Sequence, residues 1–152
     1  MSYWHLALNR NKRGITADIK TEGGRKLLLR LLSEADVFLE ASGRVIWRVM
    51  AWITQLSGKS TAAGLLFDHR LWADCSYRHK PAHDLNVIGL AGLNSLDDVG
   101  SACVSEVQIA ALGSSMNAVS GILLALLARE RTGEGQAVDI NLYNTSLSLQ
   151  TT

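Results

Sequence analysis

Cysteine is scarce in this chain. Its two copies, Cys75 and Cys103, show no metal-ligand or redox spacing between them. That excludes a disulfide-stapled scaffold as the organising principle, and it leaves a reducing, cytoplasmic compartment and no metal as the expectation. Charge of one sign is missing as well: 15 Lys and Arg against 14 Asp and Glu leave a formal charge of +1. No long-range field recruits nucleic acid or an anionic membrane surface. Long apolar runs are also absent. The longest nearly uncharged one, Ala118 to Ala128, is far shorter than the roughly 20 residues of a membrane span. The opening MSYWHLALNRNKR has no basic segment followed by an apolar core, so it does not read as a leader. Repeats and low-complexity tracts do not occur.

What is present is ordinary globular composition, 47% hydrophobic and 19% charged over 152 residues, enough for one domain with a core. Ile15 to Ile19 (ITADI) alternates apolar and polar residues, as a half-buried strand does. Thr21 then stands where it can cap a helix carrying Leu27, Leu28, Leu31 and Leu32 at helical spacing. Ala35 to Leu39 (ADVFL) reads as a second strand. Strand, helix and strand in that order predict a right-handed parallel crossover.

The text NRNKRGITADIKTEGGRKLLLRLLSEADVFLE resembles the family III CoA-transferases, the group that includes formyl-CoA transferase, carnitine CoA-transferase and alpha-methylacyl-CoA racemase. The resemblance implies an α/β fold: a partial Rossmann-like open parallel sheet with flanking helices, a fragment of the family's large domain. It also implies coenzyme A or acyl-CoA as substrate. By that resemblance Ala17, Asp18, Ile19 and Lys20 lie along the CoA nucleotide, with backbone groups reading the adenine. On spacing alone Lys20 is a solvated surface charge, and Arg10, Lys12 and Arg13 read as an exposed basic edge.

Between Ala41 and Cys75 the resemblance stops. The segment holds three of the four tryptophans and shows no clean period. Plausible codons for Glu40 to Gln55, read from the third base, spell the family's next motif (SFRPGYLARHGLDYA). Codons for Phe67 to Cys75, read from the second base, spell the one after it (SITGYGQT). Residues 41–75 are therefore read as an irregular, out-of-frame segment. Ser42, Gly43 and Arg44 do not reproduce the arginine-bearing loop that serves CoA phosphates in the family, a task suited to paired guanidinium donors.

The family wording resumes at YRHKPAHDLNVIGLAGL. By resemblance Pro81, Ala82, His83 and Asp84 contact CoA, and in racemase members the residue matching His83 is one acid/base for the proton alpha to the thioester carbonyl. An imidazole suits either role near neutrality. The structural alternatives are a surface or capping histidine at 83 and a capping aspartate at 84, ahead of a helix beginning at Leu85.

The stretch Val107 to Tyr143 carries the strongest likeness. It reads as a small-residue turn around Gly113, Ser114 and Ser115, then a helix apolar nearly all round from Ser120 to Ala128. Arg129 and Arg131 follow at its end, with Gly133 as a left-handed cap and an alternating strand from Ala137 to Tyr143. Aligned on ERTGEGQ, the family's central aspartate falls on Ala111. In the transferases that aspartate attacks the thioester; in the racemases it is the second acid/base. A methyl group does neither.

Two functional classes follow. One is an enzyme of CoA transfer or alpha-methylacyl-CoA racemisation, by ancestry and catalytically impaired. The other is a non-enzymatic remnant, or a small self-associating module with at most weak CoA binding. Family members form interlocked dimers, which a chain this short is not expected to make, although another homo-oligomer is open to it. The out-of-frame reading makes a direct prediction. The gene, sequenced and translated in the shifted frames across codons 40–55 and 67–75, should spell the two family motifs. Unrelated words in both frames would end that reading.

Overall fold

The computed structural model describes residues 3–39, 83–103 and 106–150. Residues 41–75, expected to be out of frame, together with Pro81 and Ala82, lie outside the described residues. The chain divides into two compact units, Met1–Glu34 and Ala35–Thr152.

In the first unit a short helix α1 (Tyr3–Leu8), which the sequence pattern did not predict, precedes an irregular stretch and helix α2 (Glu22–Glu34). Thr21 caps α2 as expected: its Oγ1 accepts the Gly24 N–H at 3.1 Å and donates to the Asp18 carbonyl at 2.7 Å. Lys26 pairs with Glu22 one turn away, at 2.7 Å. Leu32 is buried, while Leu31, expected on the same apolar face, is exposed.

Among the described residues of the second unit three helices, α3 (Asp84–Leu90), α4 (Ile109–Thr132) and α5 (Leu142–Ser148), pack against one another. Their shared core is Val87 and Ile88 from α3, Ala110 from α4 and Leu142 from α5, with Leu93, Ala111 and Tyr143 at its margin. Helix α4 ends at Gly133, whose φ of 76° is the left-handed cap the sequence predicts. Arg129, in its last turn, reaches Asp36 with one nitrogen on the carboxylate at 2.9 Å and another on the carbonyl at 3.3 Å.

Three expectations are corrected here. First, no strand forms among the described residues, and the parallel crossover is not seen. Residues 15–18 are exposed and irregular, and Asp18 ends them in a turn in which its carboxylate accepts the Lys20 N–H at 2.9 Å. A strand requires a neighbouring ladder for its backbone groups, whatever its alternation. Second, no strand forms over 137–143, and the last two of these residues are helical. The Asn141 side chain accepts the Asn144 N–H at 2.8 Å, and Leu142 and Tyr143 open α5 instead. The alternation itself survives: Val138 and Ile140 are half-buried, Ala137 and Asp139 exposed, and partial desolvation still pushes the Asp139 carboxyl above its usual range.

Third, Gly113, Ser114 and Ser115 are helical rather than a turn, and α4 is not buried all round. Its buried residues are the small ones, Ala110, Ser114, Ala118 and Ala125, whereas Leu123, Leu124 and Leu127 are exposed. Close approach explains the choice, since a Cβ added to Gly113 would lie 2.9 Å from Thr145 Cγ2 of α5. The expectation that no apolar run approaches the length of a span is also corrected: residues 109–128 hold no Asp, Glu, Lys or Arg, and by length and composition α4 could cross a bilayer.

The Asn141 cap yields a prediction. Asn141→Ala should lower unfolding stability by about 1 kcal/mol in urea titration, with Asn141→Asp close to the parent. Equal losses in both variants would show that the side chain does not cap α5.

Candidate functional site

The residues singled out by sequence fall in both units. Ala17, Asp18, Ile19 and Lys20 belong to the first, where all four are exposed. Their turn is held by three devices. Arg25 donates through Nε to the Ile19 carbonyl at 3.2 Å and through a terminal nitrogen to the Lys20 carbonyl at 2.9 Å. Thr21 grips the Asp18 carbonyl. Gly24 lets α2 approach so closely that a Cβ there would collide with the Asp18 carbonyl. Sequence reasoning missed Arg25 and Gly24. The Gly-Gly pair inside the first turn of a helix was the available signal, because glycine costs helix stability unless something needs the space.

His83, Asp84 and Ala111 belong to the second unit. His83 is the N-cap of α3, with extended φ and ψ of −121° and 168°, and its backbone N–H donates to Asn86 Oδ1 at 2.5 Å. The ring is exposed. Asp84, the first residue of α3, does not serve that helix alone. Its Oδ1 accepts the backbone N–H of Ala111 at 2.7 Å, a bond that spans 27 residues of sequence and is partly buried.

The need for this bond is set by helix geometry. The first backbone N–H groups of α4 have no intrahelical acceptor. The N-cap residue, Gln108, makes no side-chain capping bond, and the helical ladder begins with Leu112 N–H on the Gln108 carbonyl at 2.9 Å. A carboxylate supplied from α3 satisfies one orphan donor and places negative charge at the positive end of a 24-residue helix. The capping aspartate expected at 84 is thus present, acting on a different helix from the one it precedes.

Ala111 is half-buried, with its N–H on Asp84 and its carbonyl accepting from Ser115 Oγ at 2.8 Å. It packs against the α3–α4–α5 core. One turn on, Ser114 is buried and its Oγ has no hydrogen-bond partner. Asp97 and Asp98 lie in the preceding loop, where Asp97 Oδ1 accepts the Val99 and Ser101 amides at 3.1 and 2.7 Å. No group of three or more His, Cys, Asp or Glu residues able to hold a metal occurs among the described residues. The structure therefore brings Asp84 and the 111 position into contact, seats His83 next to Asp84, and puts 17–20 in the other unit.

The sequence profile of CoA-transferase family III matches residues 1–53 and 66–152. The stretch it omits is narrower than the segment 41–75 set apart on reading. A formyl-CoA:oxalate CoA-transferase of Streptomyces avermitilis is 30% identical over 97% of this chain, which spans 37% of that relative. An acyl-CoA transferase of Fusarium pseudograminearum is 32% identical over 99% of this chain and 34% of the relative. Among solved structures, a hypothetical protein of Mycobacterium tuberculosis superposes with a TM-score of 0.84 at 26% identity, over 93% of this chain and 41% of that one. A CaiB/BaiF family protein of Brucella suis gives 0.79 at 26% identity, over 93% and 38%.

Removing the Asp84 carboxylate should strand a partly buried donor. Asp84→Ala is expected to cost about 1–3 kcal/mol in urea unfolding, with Asp84→Asn, which keeps an acceptor, losing less. A neutral Asp84→Ala would mean that the α3–α4 bond carries no stability.

Proposed function

The chain belongs to CoA-transferase family III, and from that premise we propose that it is a CoA-thioester-binding piece of the family's large domain whose own covalent chemistry is lost. The observation that carries the reading is Ala111. It sits in the first turn of α4, held at its N–H by Asp84, where the family resemblance puts the reacting aspartate. The position is framed and the carboxylate is absent. Without that group no mixed anhydride forms on the chain, and no second acid/base faces a proton alpha to the thioester.

The relatives' names favour CoA transfer between carboxylic acids over racemisation as the ancestral reaction. His83 then serves as a CoA-side contact, together with Pro81, Ala82 and Asp84, rather than as an acid/base. Ala17, Asp18, Ile19 and Lys20 supply the nucleotide contact. What supports this is a turn fixed from several directions by Arg25, Thr21 and Gly24, so that little backbone freedom remains to be lost on binding. The same premise extends to the fold: residues 15–19, 35–39 and 137–140 are strand segments of a Rossmann-like sheet when neighbours pair with them. A cytoplasmic location fits this reading.

Calorimetry with CoA, paired with an exchange assay using formyl-CoA and oxalate, tests the proposal. Binding in roughly the millimolar to 100 µM range with no turnover is expected. Turnover above the buffer rate would overturn the loss of chemistry, and an absence of binding would leave ancestry alone. Ala111→Asp is expected to remain inactive, because it restores neither of the motifs missing from 41–75. Measurable exchange by that variant would show that the single carboxylate was all that was lacking.

A further inference from the structure

The face of α4 turned away from α3 and α5 carries Ile109, Leu112, Met116, Val119, Leu123 and Leu127, all exposed, from 39% at Ile109 to 65% at Met116. Successive members are three or four residues apart, the spacing of a seam that fits a second helix of the same period. These six residues expose on the order of 600 Å², above the roughly 500 Å² per partner that a specific interface needs. No Asp, Glu, Lys or Arg occurs from Ile109 through Ala128, so the stripe offers nothing to a charged partner and nothing that repels a copy of itself.

We propose that this stripe is the contact between two copies of the chain, paired antiparallel through α4. The direction follows from the charges at its ends. Glu106, just before the helix, and Arg131, beside Glu130 in its last turn, are exposed and lie 13 and 12 residues from Val119, near the stripe's midpoint. Antiparallel pairing sets Glu106 of each copy against Arg131 of the other, and opposes the two helix dipoles. Parallel pairing sets like charges together at both ends. The arrangement is two-fold symmetric and closed, so it stops at a dimer.

A bilayer is the competing occupant, since α4 passes the test of length and composition for a span. The opposite face of the helix argues against it. Ala110, Ser114, Ala118 and Ala125 are buried, Asn117 bonds Thr145 at 3.3 Å, and Ala111 bonds Asp84; insertion would strip all of these contacts. A second copy covers the stripe and leaves them intact.

Sedimentation equilibrium of the full chain tests the pairing. A particle of twice the 16.5 kDa chain mass is expected at micromolar concentration. The double variant Met116→Glu with Leu123→Glu should weaken the dimer at least about 100-fold with unchanged far-UV circular dichroism. Val99→Glu, an equally exposed apolar site in a loop, should leave it unchanged. Direction is read by oxidative cross-linking in a Cys75→Ser, Cys103→Ser background. Val119→Cys should link to itself, and Ile109→Cys should link to a Leu127→Cys copy but not to itself. A monomer, a dimer indifferent to the two glutamates, or a monomer that floats with phosphatidylcholine vesicles would each overturn the proposal.

Discussion

The hydrogen bond from the Ala111 amide to Asp84 Oδ1 joins the first turn of α4 to the first turn of α3. The placement of residue 111 depends on it. Helix α4 has no side-chain cap of its own, so its opening N–H groups need an acceptor from elsewhere, and a charged acceptor gains further from the dipole of a long helix. Once the bond is made, the position of residue 111 is fixed relative to His83 and to the Val87, Ile88 and Leu142 core. A scaffold of this kind presents whatever side chain stands at 111. Here it presents a methyl group.

Small residues on α4 perform the complementary task. Gly113 lets α5 come close, the hydrogen bond between Asn117 and Thr145 fits into that short separation, and Ser114 and Ala118 are buried. Putting the small residues inward forces the large ones outward. The exposed leucines of α4 are thus a direct consequence of how tightly its other face is packed, and they create the apolar stripe for which a second copy is the proposed cover.

How much of this was legible in the sequence varied with the range of the interaction concerned. Local chemistry was readable: Thr21 capping α2 and Gly133 ending α4 in a left-handed turn are signals that act within one helical turn. Asp84 was recognised as a cap, but no local pattern could reveal that its target lay 27 residues away. Its leucines make the apolar stretch 120–128 read as buried, but hydropathy alone does not reveal which face a neighbour will occupy. The alternation over 137–143 persists as a burial pattern as far as Ile140, without a strand. The Asn141 cap then ended it, a short polar side chain outweighing the apolar period. Of the candidate site, family wording located 17–20, 83–84 and 111, while Arg25 and Gly24, which hold the first of these, came only from the geometry.

The proposed loss of covalent chemistry from an intact scaffold is tested most directly by mass spectrometry of the whole chain, incubated with formyl-CoA and quenched in acid. The account predicts the unmodified mass alone, because no carboxylate stands at 111 to be acylated or to carry CoA. A formyl or CoA adduct that hydroxylamine removes, mapped to any Asp or Glu of the chain, would contradict it.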